Sequence, residues 1–440
     1  MKISVIGVGY LGAVHAASMA DLGHDVVGLD VDEQRIERLN RGEAPFHEPG
    51  FEEVLRRGLQ AQTLRFTSDY RDVADADVHF LGLGTPQRAD GLGADLTYVR
   101  AAVASLIEVL PARAGAPTLV VGKSTVPVGT ARLLAADLEQ LDGVHLMWNP
   151  EFLREGFAVQ DTLEPDRIVY GVSDPHDEQD PSAGILDEVY APILERGTPR
   201  LVMGLEAAEL VKVSANAFLA TKISFINAIA ELCETAGADV TDVARAIGMD
   251  DRIGKKFLRA GVGFGGGCLP KDIRAFIASA EEMGTGHSLS FLREVDAINQ
   301  RRRDRVVELA QEKLGDVTGR RITVLGASFK PDSDDVRDSP ALEIASRLMA
   351  AGADVRVTDP QALANAERRV PGLVTVDDLE SALAGAELVL LLTEWREYRD
   401  LDPEHVRSLV AQPRIIDGRG VLVPADWRAA GWEVAALGRP

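Results

Sequence analysis

Cysteine is nearly absent: Cys233 and Cys268 are the only two among 440 residues. Two cysteines cannot build a disulfide framework, and such sparing use points to a reducing, cytoplasmic setting. Aromatic residues are also scarce, at 5%, although hydrophobic residues make up 46%. Val, Ile, Leu and Ala therefore do the packing, which suits an α/β protein rather than a disordered or fibrous one. Positive charge is in short supply: 47 Lys and Arg face 69 Asp and Glu, a formal net charge of −22. That surface repels polyanions, which argues against a nucleic-acid partner and confines any anionic ligand to a local basic pocket. No uninterrupted apolar run reaches the ~18 residues of a membrane helix, and no secretory signal is visible ahead of the first strand pattern. No membrane partner is expected. The length exceeds what one hydrophobic core serves, so two or three domains are expected.

The chain opens with "KISVIGVGYLGAVHAASMADLGHDVVGLDVD". Lys2–Ile6 reads as a buried strand, residues 11–22 as a helix, and Asp25–Leu29 as a second strand that ends at Asp30. Between strand and helix lies Gly7-Val-Gly9-Tyr10-Leu11-Gly12. A bare G-x-G-x-x-G is weak, but this context, with an acid about 20 residues on, marks a dinucleotide site. Gly7 permits the turn, Gly9 admits a pyrophosphate to the helix N-terminus, and Gly12 lets helix and strand pack closely. Asp30 accepts from a ribose 2′-OH and repels a 2′-phosphate, which favours NAD over NADP. Further strands at 77–83, 118–122 and 145–148 end in "GLGTP", "GKSTVP" and "NPEF", so Thr85, Ser124, Thr125 and Glu151 line the carboxyl edge of a parallel sheet. For each of these a turn or cap role is an equal alternative, and Pro127 could simply start a helix. In "NPEFLREGFA", Glu151 and Glu155 stand four apart; on a helix they would share a face, a repulsive spacing that hints at a use for at least one.

Residues 206–236 follow a long helical pattern that is apolar on more than one side, as expected of a helix buried against a second subunit. Lys212 and Asn216 fall on one face within it and need partners there. Cys233 reads as an inert core thiol. Cys268 differs. It closes the run "GVGFGGGC" and precedes Pro270, which fits the first turn of a helix. A thiol reacts as the thiolate, which a helix N-terminus favours. Lys271 and Asp272 sit beside it for charge and proton handling, while the alternative is a tight glycine turn with an incidental cysteine. From Arg320 the opening pattern repeats weakly: residues 322–326 parallel 3–7, and "AGADVRVTDP" parallels "LGHDVVGLDV". The glycine fingerprint is replaced by "GASFKP", so a second doubly wound sheet is expected to bind something other than a dinucleotide. Lys330, Arg337 and Arg419 supply cations after its strand ends.

Together "GVGFGGGCLPKD", "NPEFLREG", "ELVKVSANAFLATKISFINA", "SFKPDSDDVRDSP" and "DGRG" resemble the nucleotide-sugar 6-dehydrogenases of the UDP-glucose/GDP-mannose dehydrogenase family, over essentially the whole chain. The resemblance implies two Rossmann-like doubly wound parallel sheets joined by a long central helix and a helical dimerisation domain. The expected segments are 1–200 for NAD, 201–300 for dimerisation and 301–440 for the UDP-sugar. It implies a homodimer or higher homo-oligomer. The implied reaction is the four-electron oxidation of UDP-glucose to UDP-glucuronate, with two NAD per turnover and no metal. Cys268 would be the nucleophile, Lys212 and Asn216 the oxyanion donors, and Asp272 a water-orienting acid; Thr125 and Glu151 would move protons and position water. Gly7, Gly9, Tyr10, Leu11, Gly12, Asp30, Arg35, Thr85, Pro86, Ser124, Thr125, Glu155, Lys271 and Arg337 would contact the cofactor. Glu151, Phe152, Leu153, Lys212, Asn216, Phe264, Gly265, Lys330 and Arg419 would contact the sugar nucleotide, with Arg252 reaching a partner subunit's substrate. The family often has serine before the cysteine and phenylalanine after it, where this chain has Gly267 and Leu269. That leucine also occurs in GDP-mannose relatives, so GDP-mannose or UDP-N-acetylmannosamine oxidation is the alternative. From another class, a non-catalytic NAD-binding regulator remains, but it leaves the cysteine, lysine, asparagine and aspartate together without a use.

Overall fold

Short apolar runs that alternate with helices build two parallel sheets. The computed structural model describes residues 1–110, 117–177 and 180–439. It divides into two compact units, Met1–Ala215 with Arg274–Met283, and Asn216–Ile273 with Gly284 onward.

The first unit holds eight strands: β1 (Lys2–Ile6), β2 (Asp25–Leu29), β3 (Leu64–Thr67), β4 (Val78–Leu81), β5 (Thr118–Gly122), β6 (Val144–Trp148), β7 (Ile168–Val172) and β8 (Arg200–Gly204). Their order is β3-β2-β1-β4-β5-β6-β7-β8. All pairs are parallel except β6 with β7, which run antiparallel through Trp148 and Gly171. The strand order reverses between β1 and β4, the switch point where such sheets open a crevice at their carboxyl edge. Ile3, Val5, Phe80 and Val121 face one layer of helices, and Ile6, Leu81, Val120 and Trp148 the other. Burial on both faces is why these strands read as continuous apolar runs instead of an alternating pattern.

The second unit repeats the scheme with β9 (Arg321–Leu325), β10 (Asp354–Thr358), β11 (Val374–Thr375), β12 (Leu388–Leu391), β13 (Arg414–Asp417) and β14 (Glu433–Ala436). Its order, β11-β10-β9-β12-β13-β14, matches the first six strands of the other sheet, and every pair is parallel. The expected doubly wound α/β architecture is therefore present twice. The acid that ends β10, Asp359, is spent internally: one carboxylate oxygen accepts from Ala327 N (2.7 Å), Ser328 N (3.0 Å) and Trp395 Nε1 (3.0 Å). The backbone donors of the turn after β9 are thus satisfied by protein, which is why the repeat needs no glycine fingerprint.

The central helix, Leu205–Ala236, spans 32 residues. It is long and apolar enough to cross a membrane by length and composition alone. It nevertheless buries Glu209, Lys212, Asn216, Ser224 and Asn227, as an interior helix of a folded protein does. Two expectations fail locally. The segment holding Glu151 and Glu155 is a loop, and the next helix starts at Ala158. The two acids therefore do not share a helical face; within the loop Leu153 N donates to Glu151 Oε2 at 2.5 Å. Pro127 likewise does not start a helix; it sits in a turn whose carbonyl accepts from Thr130, and the helix runs Thr130–Leu138 behind Gly129.

Candidate active site

The β1 turn is shaped for a pyrophosphate. Gly7 has φ +88° and donates to Leu29 O at 2.7 Å. A Cβ on Gly12 would stand 1.9 Å from Gly7 O, so no side chain is tolerated there. Around the Cα of Gly9, by contrast, a Cβ would meet nothing within 4 Å. The helix Tyr10–Asp21 has no side-chain cap and no acid in its first turn. Its leading N–H groups and dipole therefore face open space, which is what an anionic diphosphate requires. At the end of β2 Asp30 is buried; it accepts from Asp32 N (3.1 Å) and pairs with Arg35 Nη1 (2.9 Å). These residues fit NAD.

The loops beyond β4 and β5 are tied together. Thr85 Oγ1 donates to Thr125 O (2.8 Å) and Ser124 Oγ to Leu83 O (2.6 Å), while Pro86 is exposed. In the loop after β6, Glu151 Oε1 lies 3.0 Å from Lys212 Nζ, and both side chains are almost wholly buried. Two cations lie over the Phe152 ring, Arg167 at 3.9 Å and Lys212 at 5.7 Å from its centre. Glu151 and Leu153 line one small pocket with Leu11, Gly12, Leu83 and Ser124, so the predicted catalytic acid and the glycine turn share a cavity. Burial first, then the Glu48 carboxylate and last the partly buried Glu155, raise the pKa of the Tyr10 phenol.

Cys268 is exposed, and Cys233 is buried. Asp272 N donates to Cys268 O at 2.9 Å, which places the cysteine at the N-terminus of the helix Leu269–Glu282. Asp272 is 2% exposed; it accepts from Asn216 Nδ2 (2.7 Å) and from Lys271 Nζ (2.6 Å). Lys212 and Asn216 thus stand one turn apart on the central helix, the first paired with Glu151 and the second with Asp272. The glycines before Cys268 make room for other parts of the protein. A Cβ on Gly265 would stand 2.3 Å from Asp338 O, and one on Gly267 would stand 2.2 Å from Arg337 Cζ. The loop is glycine-rich because protein, including a guanidinium, lies against it.

Phe264 is buried, and its backbone is clamped by Asn299, with N to Oδ1 2.7 Å and O to Nδ2 2.9 Å. Arg419 is used in the same way: its guanidinium donates to Leu392 O (2.6 Å), Gly263 O (3.1 Å) and Phe329 O (3.0 Å). Lys330 Nζ stands 5.3 Å over the Phe329 ring. Arg337 forks onto Asp335 and Arg252 onto Asp250, the latter almost fully exposed. No cluster of three or more His, Cys, Asp or Glu residues is arranged for a metal among the described residues.

Three models of one family, the UDP-glucose/GDP-mannose dehydrogenases, match the chain in order: the NAD binding domain over residues 1–194, the central domain over 206–301 and the UDP binding domain over 323–424. The chain belongs to this family. A UDP-glucose 6-dehydrogenase of Rhizobium meliloti is 41% identical, with all of both chains covered. Among solved structures, a UDP-glucose dehydrogenase from Pyrobaculum islandicum is 39% identical with a TM-score of 0.89, covering 100% of this chain and 98% of that one. A UDP-D-ManNAc dehydrogenase from Pyrococcus horikoshii is 27% identical with a TM-score of 0.86, covering 100% and 99%.

Several further polar residues hold the sequence motifs in place. Lys123 Nζ donates to Asn149 Oδ1 (2.9 Å), which also accepts from Tyr190 OH (2.7 Å); burial draws the lysine down to about 8. Arg303, wholly buried, donates to Phe264 O. Lys123 was detectable as a charge at the end of an apolar strand. Asn299 and Arg303 carried no local signal, because their partners lie 35 and 39 residues away.

Proposed function

We propose that this chain oxidises UDP-glucose to UDP-glucuronate in two successive two-electron steps, through a thioester on Cys268. The observation that carries the reading is an exposed thiol at a helix N-terminus, one turn from a buried Asp272 that bridges Lys271 and Asn216. A dehydrogenase that stopped at the aldehyde would have no use for that thiol.

When bound, NAD supplies the hydride acceptor for each oxidation. Gly7, Gly9, Tyr10, Leu11 and Gly12 would hold its diphosphate, Asp30 and Arg35 its adenosine ribose, and Thr85, Pro86, Ser124 and Thr125 the edge beyond β4 and β5. Glu151, with Thr125, takes the proton from the sugar hydroxyl as the alcohol becomes an aldehyde. The Cys268 thiolate adds to the carbonyl carbon, and its electron pair becomes the C–S bond. Lys212 and Asn216 donate to the resulting oxyanion. Loss of a second hydride turns the thiohemiacetal into a thioester. Water oriented by Asp272 and Glu151 then breaks the C–S bond, releasing a carboxylate and restoring the thiol. Phe152, Leu153, Phe264, Gly265, Lys330 and Arg419 frame the sugar nucleotide, and Arg252 extends toward a second copy. We assign residues 1–200, 201–300 and 301–440 to cofactor, dimerisation and nucleotide, and place the protein in the cytoplasm, where both thiols stay reduced.

The decisive experiment counts reduced cofactor. Two NADH per UDP-glucose are expected, and a ratio of one overturns the reading. GDP-mannose and UDP-N-acetylmannosamine, run in parallel, should be turned over at least tenfold more slowly. Higher kcat/KM for either reassigns the substrate while leaving the chemistry.

A further inference from the structure

The segment "GEAPFHEPG", residues 42–50, lies between the helices Glu33–Asn40 and Phe51–Gln60, and none of the chemistry above uses it. It nevertheless buries a carboxylate: Glu48 is 6% exposed. One oxygen, Oε1, accepts from Ala158 N at 2.7 Å. The other, Oε2, accepts from Gly156 N at 2.6 Å and from the Tyr10 hydroxyl. Gly156 N also approaches the Tyr10 hydroxyl, at 3.2 Å. No Lys or Arg pairs with Glu48 among the described residues, so these three donors alone stabilise it. Phe46 from the same segment packs on the Tyr10 ring, centre to centre 4.7 Å.

The three donors come from two places that matter. Tyr10 is the first residue of the helix whose N-terminus is proposed above to hold the diphosphate. Gly156 lies near the end of the loop that begins at Asn149 and carries Glu151. A carboxylate that only capped the following helix would need the two amides and no phenol. We propose that Glu48 is a positioning residue that fixes the loop 149–156 against the first turn of the dinucleotide helix, so that one buried carboxylate sets both. The proposal rests on the dehydrogenase reading. A displacement of ~1 Å in that loop moves Glu151 relative to the bound cofactor, a change of the size that costs about two decades in rate.

The test compares the full-length wild type with Glu48→Gln, Tyr10→Phe and the double variant. The amide of Gln turns one N–H group toward a backbone donor, whereas Phe removes the hydroxyl alone. The readouts are NAD Kd by isothermal titration, kcat, KM for each substrate, and Tm. Expected are a fall in kcat/KM for NAD of about 30-fold in Glu48→Gln and about fivefold in Tyr10→Phe, with the double variant no worse than Glu48→Gln. A folded Glu48→Gln with lowered Tm but kcat and both KM values within twofold of wild type reduces the residue to a cap and overturns the proposal. So do losses that multiply in the double variant. If Glu48→Gln does not fold, Tyr10→Phe decides: both amides keep their acceptor, and unchanged kinetics overturn the proposal. Wild type that binds NAD without oxidising UDP-glucose sinks the functional reading instead, and Glu48 is then judged by NAD Kd alone.

Discussion

Cys268 and Asp30 show what single residues decide. A thiol is exchangeable for serine in size but not in nucleophilicity, since an alcohol has almost no anionic fraction near neutrality. Cys268→Ser should therefore lower steady-state NADH production at least a thousandfold, with any residual product arrested before hydrolysis; mass spectrometry of the quenched protein would show a trapped adduct. Full activity in that variant would end the nucleophile assignment. In the proposed site Asp30 would contribute exclusion of a 2′-phosphate. Its carboxylate sits 2.9 Å from Arg35, and removing it leaves that guanidinium able to meet a 2′-phosphate. Asp30→Gly should raise the NADP-to-NAD ratio of kcat/KM by ten- to a hundredfold, measured with either cofactor under saturating sugar.

At the scale of elements, the central helix organises more than the two polar residues legible in its sequence. Glu209, three residues before Lys212, accepts from Gly129 N (2.7 Å) and Ala131 N (2.6 Å) at the start of the helix Thr130–Leu138. Burial pushes its carboxyl up to about 7 despite both donors. The folded state then keeps a proton that the unfolded chain, titrating near 4.5, releases. Stability from this group is present below about pH 4.5 and falls as pH rises toward 7, by on the order of 3 kcal/mol. Glu209→Gln cannot titrate. Its Tm should fall less than that of the wild type between pH 5 and 7, and calorimetry that gives parallel curves would refute the shift. The glycine loop before Cys268 teaches a related lesson. Its composition was plain, but its cause was not, because Asp338 and Arg337 lie about 70 residues away in sequence.

For the molecule as a whole, the second sheet repeats the order of six strands of the first, and the central helix leaves an apolar stripe exposed. Phe218, Phe225 and Leu232 recur every seven residues and are 66%, 52% and 65% exposed. An apolar stripe of this kind on one helix face is what a second copy would cover. Phe218→Glu with Phe225→Glu should halve the particle mass measured by light scattering, whereas an unchanged mass places the interface elsewhere.

The sequence by itself determined the α/β class, the strand–glycine–helix fingerprint, the acid that closes the second strand and the unusual cysteine. These are set by periodicity and by residues adjacent along the chain, where backbone geometry alone carries the information. Only the tertiary structure decided that Glu151 lies on a loop beside Lys212, that Asp272 joins Asn216 to Lys271, and that Asp359 satisfies the turn after β9. Apart from the neighbouring Lys271 and Asp272, those pairings unite groups tens of residues apart in the chain, where a buried charge must find its partner and no local pattern says which one it will be.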